Sequence, residues 1–178
     1  MEADKPAPGA ALLKNGIAQI GFVVSDLDEA VEQYWKLLGI GPWHFYTYGA
    51  PLVKKMSYHG RPAEYRMRVA LANVGSLRIE LIEPLEGDTV YAEFVREHGY
   101  GVHHLGLLVG DMGEALKVAA EAGLEMSMDG AGFGRTGDGH YAYLDTEARL
   151  GTTLELIERP KDRMTPEKVY PPPANEPA

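Results

Sequence analysis

With 178 residues, 45% of them hydrophobic and 24% charged, the chain has the make-up of one globular domain that buries a core without staples. A formal net charge of −9 opposes the attraction that nucleic acid and anionic membranes exert on basic surfaces, so neither is an expected partner. The lack of cysteine excludes disulfides, thiolate metal sites and a cysteine nucleophile, leaving oxygen and nitrogen as the only ligand atoms for any metal.

No apolar run approaches the roughly 18 residues of a membrane span, and Met1 to Pro8 lacks the basic and apolar regions of a signal peptide, so a cytoplasmic protein is expected. Residues 1–14 carry Pro, Ala and Lys without a period and read as an N-terminal arm. Ile17 to Val24 is a compact apolar run with β-branched residues, a strand pattern. Asp26 follows as an N-cap, with Glu29 at the capping-box spacing. Leu27, Ala30, Val31, Tyr34, Leu37 and Leu38 then recur at helical spacing until Gly39 supplies a left-handed stop.

A loop rich in aromatics (Trp43, Phe45, Tyr46, Tyr48, Tyr58) comes next, running into a basic stretch of Lys54, Lys55, Arg61, Arg66 and Arg68 broken only by Glu64. Strand-like segments at 64–72 and 77–83 complete a first module, taken as residues 15–98 with a linker helix at its end. The second module, 99–159, repeats the order: strand Val102 to Val109, cap Asp111 with Glu114, helix stop at Gly123, and strands at 140–145 and 152–158. Gly132, Gly134 and Gly137 satisfy the G-x-G-x-x-G spacing of a dinucleotide loop, but the strand pattern Asp138 to Leu144 follows where that site needs a helix, so a flexible turn is expected. Residues 160–178 hold Pro160, Pro166, Pro171, Pro172, Pro173 and Pro177 and read as an extended or disordered tail, suited to lying over a partner subunit.

The chain repeats itself. Gln19-Ile20-Gly21-Phe22-Val23-Val24 returns 85 positions later as His104-Leu105-Gly106-Leu107-Leu108-Val109, and Ile79-Glu80-Leu81-Ile82-Glu83 returns as Leu154-Glu155-Leu156-Ile157-Glu158. The expected fold is therefore α+β, two tandem βαβββ modules in one pseudo-symmetric domain. Strand alternation puts Arg78, Glu80 and Ile82 on one face and Leu77, Ile79 and Leu81 on the other; the same parity sets Gln19 opposite Ile20 and Phe22, and His104 and Glu155 away from the helices. Gln19, Glu80, His104 and Glu155 thus converge on one concavity as a hard-to-borderline metal set. His103, adjacent to His104, is expected to point to the opposite face.

On these residues the chain resembles the vicinal oxygen chelate superfamily, whose paired modules form a curved mixed sheet around one divalent metal. Within it, Ile79 to Leu85, a short helix and Gly101-Val102-His103-His104-Leu105-Gly106 are similar to methylmalonyl-CoA epimerases. The resemblance implies that Glu80, His104 and Glu155 are metal ligands and that Gln19 stands where the epimerases usually carry histidine. The order Gln, Glu, His, Glu matches the ligands of eukaryotic-type glyoxalase I, whose surrounding sequence differs. It further implies one Zn, Co, Ni, Mn or Mg ion per chain, a homodimer, and an enolate-stabilising epimerase, isomerase or lyase acting on an anionic small molecule such as an acyl-CoA. In such chemistry Glu155 is the first candidate base and Glu64 the second, with Arg61, Arg66, Arg68, Tyr46, His59 and His140 as candidate substrate contacts. A metal-free ligand-binding protein of the bleomycin-resistance kind and a ring-cleaving dioxygenase remain as alternatives on the same fold.

Overall fold

A computed structural model of the chain describes residues 7–173; the parts of the expected arms at 1–6 and 174–178, Pro177 included, lie outside the described residues. The chain opens with a 3-10 helix, Pro8–Leu13, and then runs β1 (Ile17–Val23), α1 (Leu27–Leu38), β2 (Trp43–Tyr48), β3 (Lys55–Tyr58), β4 (Arg61–Pro62), β5 (Arg66–Val74) and β6 (Leu77–Glu86). After α2 (Val90–His98) come β7 (Gly101–Leu108), α3 (Met112–Glu121), β8 (Met126–Phe133), β9 (Gly139–Leu144), α4 (Glu147–Leu150), β10 (Thr153–Glu158) and β11 (Lys168–Tyr170). The α1 and α3 starts are built alike: the Asp26 and Asp111 carboxylates each accept from the backbone N–H three residues on, at 2.8 Å, and Gly39 closes α1 in the left-handed region.

All strands join one mixed sheet in the order β11-β2-β5-β6-β1-β7-β10-β9-β8-β3-β4. The order β2-β5-β6-β1 is mirrored by β8-β9-β10-β7, and the halves meet where β1 runs antiparallel to β7. Each of these central strands pairs in parallel with the last strand of its own module, β1 with β6 and β7 with β10. The fold class is thus α+β with a curved mixed sheet, as the internal repeat implies.

One face of the sheet carries α1 and α3. Leu27 and Val31 of α1 pack on Ile79, Leu81 and Phe45, while Met112, Ala115 and Ala119 of α3 pack on Leu107, Leu156 and Leu144. The concave face holds a third cluster, aromatic in character, with Tyr65, Tyr91, Tyr141 and Tyr143 buried beside Met67, Val69 and Met128. The strand parities read from the sequence hold at β6, β1 and β10 and in β7 from His104 onward, with Leu107 and Leu156 in the α3 cluster and Ile79 and Leu81 in the α1 cluster; a one-residue slip would send such apolar residues to the wrong layer.

Four features depart from the expected order. The aromatic segment expected as a loop is in large part strand β2, whose Trp43 and Phe45 are buried under α1. Lys55 and Arg61 of the basic stretch lie in the hairpin β3–β4, which turns through His59 (φ 46) and Gly60 (φ 73), and the other edge of β3 pairs with β8 of the second module. The N-terminal segment is no loose arm at Pro8–Leu13: Leu12 is buried in the α3 cluster. Residues 160–170 are extended, as the prolines require, but they lie on their own chain; β11 adds to the edge of β2, and Lys168 pairs with Asp28 at 2.5 Å. The glycine turn at 134–137 joins strands β8 and β9, with Gly132, Gly134 and Gly137 all at positive φ and no helix following.

Candidate metal centre and substrate pocket

Gln19 and His104 sit on the two central strands, related by the pseudo-two-fold between β1 and β7. In the pairing of these strands Gln19 faces Gly106 and His104 faces Gly21. The glycines make room: a Cβ on Gly21 would lie 1.8 Å from the His104 ring, and one on Gly106 would lie 2.7 Å from the Gln19 Cβ and 3.3 Å from a Glu155 carboxylate oxygen. The next strand out on each side supplies the carboxylate, since Glu80 is in register with Gly21 and Glu155 with Gly106. The duplicated Gln19-x-Gly21 and His104-x-Gly106 is therefore one device used twice: a ligand, then a gap for the ligand opposite.

The four side chains meet. His104 Nε2 lies 3.2 Å from carboxylate oxygens of both Glu80 and Glu155, and the Gln19 amide donates to the same two carboxylates at 2.9 Å each. The Gln19 Nε2 to His104 Nε2 distance is 3.5 Å, and one donor atom from each of Glu80, His104 and Glu155 lies within 4.8 Å of the others. An ion held at about 2.1 Å from each donor sets neighbouring donors about 3.0 Å apart at right angles and about 3.4 Å apart in a tetrahedron. The residues fit a divalent ion on this spacing. A half-turn of the Gln19 amide puts its oxygen inward and completes a set of three oxygens and one imidazole nitrogen.

The site is buried, with His104 fully shielded and Gln19 and Glu155 at 3% and 4% exposure, so these charges owe their stability to one another. Burial alone would push the His104 imidazole down, but the Glu155 and Glu80 carboxylates outweigh it and hold the ring up to about 9. Burial pushes the Glu80 carboxyl up, against the hydrogen bond with His104. Its donors here, the imidazolium and the neutral Gln19 amide N–H, stand in the place a metal ion would take.

His103 does not point away, as alternation predicts. The β1–β7 register jumps between Gly21/His104 and Phe22/Val102, so His103 is the extra residue of a β-bulge, and its Nδ1 lies 3.0 Å from the Nδ1 of His104. Burial drives its imidazole down to about 2, so it is neutral and able to accept from His104 Nδ1–H while Nε2 faces the carboxylates. Tyr91, Phe94 and Tyr143 enclose its ring at 5.0–5.9 Å between centroids.

A cavity in part open to solvent reaches this centre. Gln19, Glu80 and Glu155 form its polar end; Tyr48, Met67, Val69, Tyr141 and Tyr143 form apolar walls. Of the expected substrate contacts, Tyr46 lines it. The others do not. Alternation along β5 sends Met67, Val69 and Leu71 into the cavity and Arg66 and Arg68 to the opposite face, where Arg68 pairs with Asp28 at 2.7 Å and Glu83 at 3.0 Å. Arg61 is exposed on β4, and Glu64, expected as a second base, is exposed just before β5 and outside the cavity lining. His59, at the hairpin turn, pairs with Glu93 at 3.0 Å beside a separate cavity lined also by His98, His103 and Glu147. His140 is held by Asp129 at 2.9 Å.

Three arginines of the lining had no site role in the sequence reading: Arg78, which alternation already set on the Glu80 face, Arg159 and Arg163. The signal for two of them was strand parity, since Arg78 precedes Glu80 by two and Arg159 follows Glu155 by four, placing each on the concave face. Arg163 comes from the tail, whose fold-back no periodicity announces.

The sequence pattern of the Glyoxalase/Bleomycin resistance protein/Dioxygenase superfamily matches residues 18–143. An uncharacterised protein of Bacillus subtilis (strain 168), YqjC, is 26% identical over 149 residues, covering 84% of this chain and 96% of that protein. Methylmalonyl-CoA epimerase from Mycobacterium tuberculosis superposes with a TM-score of 0.62 at 24% identity, over 84% of this chain and 91% of that one. A Streptomyces coelicolor methylmalonyl-CoA epimerase variant in complex with 2-nitronate-propionyl-CoA gives 0.60 at 22% identity, over 80% and 95% of the two chains. With a duplicated module, a shared curved sheet and a family pattern spanning both halves, the chain belongs to the glyoxalase/bleomycin resistance/dioxygenase superfamily.

Proposed function

We propose that this protein is a metal-dependent epimerase, isomerase or lyase that moves a proton at a carbon next to a carbonyl. The observation that carries the reading is the convergence of four side-chain donors at 2.9–3.5 Å in a buried centre that opens onto a cavity. Gln19, Glu80, His104 and Glu155 would hold the ion. When bound, a divalent ion supplies an electrophile for two neighbouring substrate oxygens and stabilises the negative charge of an enolate.

The remaining work falls to the chain's own groups. Glu155 and Glu80 both reach the cavity and make the same contacts with Gln19 and His104; of the two, Glu155, on the last strand, is our choice for the base that takes the proton from carbon and returns it. His103 fixes the His104 ring and keeps Nε2 inward. Tyr48, Tyr141 and Tyr143 exclude water from the reacting carbon, which strengthens every charge interaction within the cavity.

Among substrates, an acyl thioester of the methylmalonyl-CoA kind is the first to test, because solved proteins of that activity share this fold. The Gln19 ligand also suits a glyoxalase I-like lyase, which uses the same proton abstraction. Exchange is the direct assay: the metal-loaded protein should carry solvent deuterium into the carbon next to the carbonyl of methylmalonyl-CoA, and Glu155→Gln should lower the rate at least a hundredfold. Exchange that survives Glu155→Gln unchanged would remove that residue from the chemistry. A protein that takes up no ion from Zn, Co, Ni or Mn would sink the metal mechanism.

A further inference from the structure

Arg78, Arg159 and Arg163 enter one cavity from three different elements: β6, the residue after β10, and the C-terminal segment that folds back over the opening. Among the described residues none of the three forms an ion pair, whereas Arg68 on the other face of the sheet is paired twice. The Nε of Arg159 is buried without any hydrogen-bond partner. A buried donor left unpaired costs about 1–3 kcal/mol, more for a charged group, and three guanidinium groups brought together repel one another. Burial and then the Arg163 charge push Arg78 down, while burial and then Arg78 and Arg163 push Arg159 down to about 10.

Of the two carboxylates in the cavity, Glu80 answers the Arg78 charge only in part, after burial and Arg163 have acted on it. Glu80 and Glu155 are taken by His104 and Gln19, and in the proposed metal-loaded state they serve the ion. The chain as a whole is acidic, at −9, so a positive cluster at the cavity is a local arrangement and not an overflow of surface cations.

We propose that Arg78, Arg159 and Arg163 form a receptor for an anionic group of the substrate, a carboxylate or a phosphate, in the cavity that also holds the Gln19/Glu80/His104/Glu155 centre. Guanidinium forks match both groups bidentately, and the unpaired Arg159 Nε is one such donor waiting for an acceptor. The anion anchors one end of the molecule and leaves its other end at the metal ligands, which orients the reacting carbon. Arg163 belongs to a strap held at both ends: Arg135 N–H donates to the Asp162 carbonyl at 3.0 Å, and Glu167 N–H donates to the Phe45 carbonyl at 2.9 Å. The strap therefore carries part of the substrate site, and the arginines that sequence composition singles out, Arg61, Arg66 and Arg68, do not.

The catalytic meaning of this receptor rests on the proposed enolate chemistry; its existence does not, and the test separates the two. Succinate and inorganic phosphate are titrated calorimetrically into the full-length protein, once metal-loaded and once chelator-treated, and metal content is measured in parallel. At least one anion should bind saturably in both forms. Arg159→Gln with Arg163→Gln should weaken it at least tenfold with metal stoichiometry and near-UV circular dichroism unchanged, and Arg61→Gln should leave it as in the parent. A stronger response to succinate assigns a carboxylate, and a stronger response to phosphate assigns a phosphate ester. Binding that is equal in parent and double variant, or no saturable binding of either anion, overturns the receptor. Anion binding that persists in a protein unable to take up metal overturns the enolate chemistry and leaves the receptor standing.

Discussion

At the scale of single residues, the two glycines opposite the ligands matter as much as the ligands. Gly21 is in the ordinary extended strand, so its role is space and not backbone freedom; the His104 ring occupies the volume in which any Cβ would stand, at 1.8–2.4 Å. Gly21→Ala must therefore rotate or displace His104, a side chain with no exposed surface to move into. The expected result is at least tenfold weaker metal binding together with a stability loss of about 1–3 kcal/mol, as overpacking of a tight interior costs. Competition against a chromogenic chelator and a denaturant melt would read the two effects separately. Unchanged metal affinity would mean that the imidazole has another rotamer that still reaches both carboxylates. This pair of gaps was visible in the sequence as a repeated Gly two residues after each ligand; its purpose was not, because parity says which face a residue takes and nothing about what stands across the ladder.

At the scale of elements, the C-terminal strap shows how a segment without periodicity becomes structure. Three residues of β11 extend the sheet beyond β2, and Asp28 at the start of α1 ties it down through Lys168 while also holding Arg68. The Asp28 carboxyl lies below the usual carboxylate range, chiefly through its hydrogen bond with Lys168 and then that with Arg68, working against partial burial. A carboxyl with a lowered folded-state value adds stability that is complete above its unfolded value, near 3.8, and is lost as pH falls through the lower folded value. The stability difference between the parent and Asp28→Asn should then be constant from pH 7 to about 5 and shrink as the pH falls below the unfolded value near 3.8. Thermal melts of both proteins across that range check it; a difference that widens in acid would show that Asp28 is not the tether. The element-level reading of the sequence was sound where caps and periods exist, at α1, α3, β1, β6, β7 and β10. The early strand that βαβββ requires in each half was left without bounds in the first, because a run of aromatics with a proline beside it looks like a loop until its alternate residues are packed under α1.

At the scale of the whole molecule, the modules cannot be separated. The four side chains proposed to hold the ion come in equal numbers from both halves, β1 meets β7 across the centre, and the β3–β4 hairpin of the first half seats on β8 of the second. Unfolding should be a single transition coupled to the ion: at a metal concentration about a thousandfold above its dissociation constant the folded state gains about 4 kcal/mol, or about 8–16 °C in melting temperature for a chain of this size. Calorimetry with and without a chelator tests this, and two resolved transitions would contradict the shared-centre architecture. Sequence alone determined the duplication, the layer to which each central strand turns its residues, and four polar side chains destined for one concavity, because alternation and repetition are properties of the chain read along its length. Tertiary structure alone decided that His103 backs His104 through a bulge, that the basic stretch serves a hairpin and the helix face, and that Arg78, Arg159 and Arg163 share the cavity. These depend on which distant segments are neighbours across a sheet, and strand register and chain reversal are settled by packing between elements, of which no local pattern keeps a record.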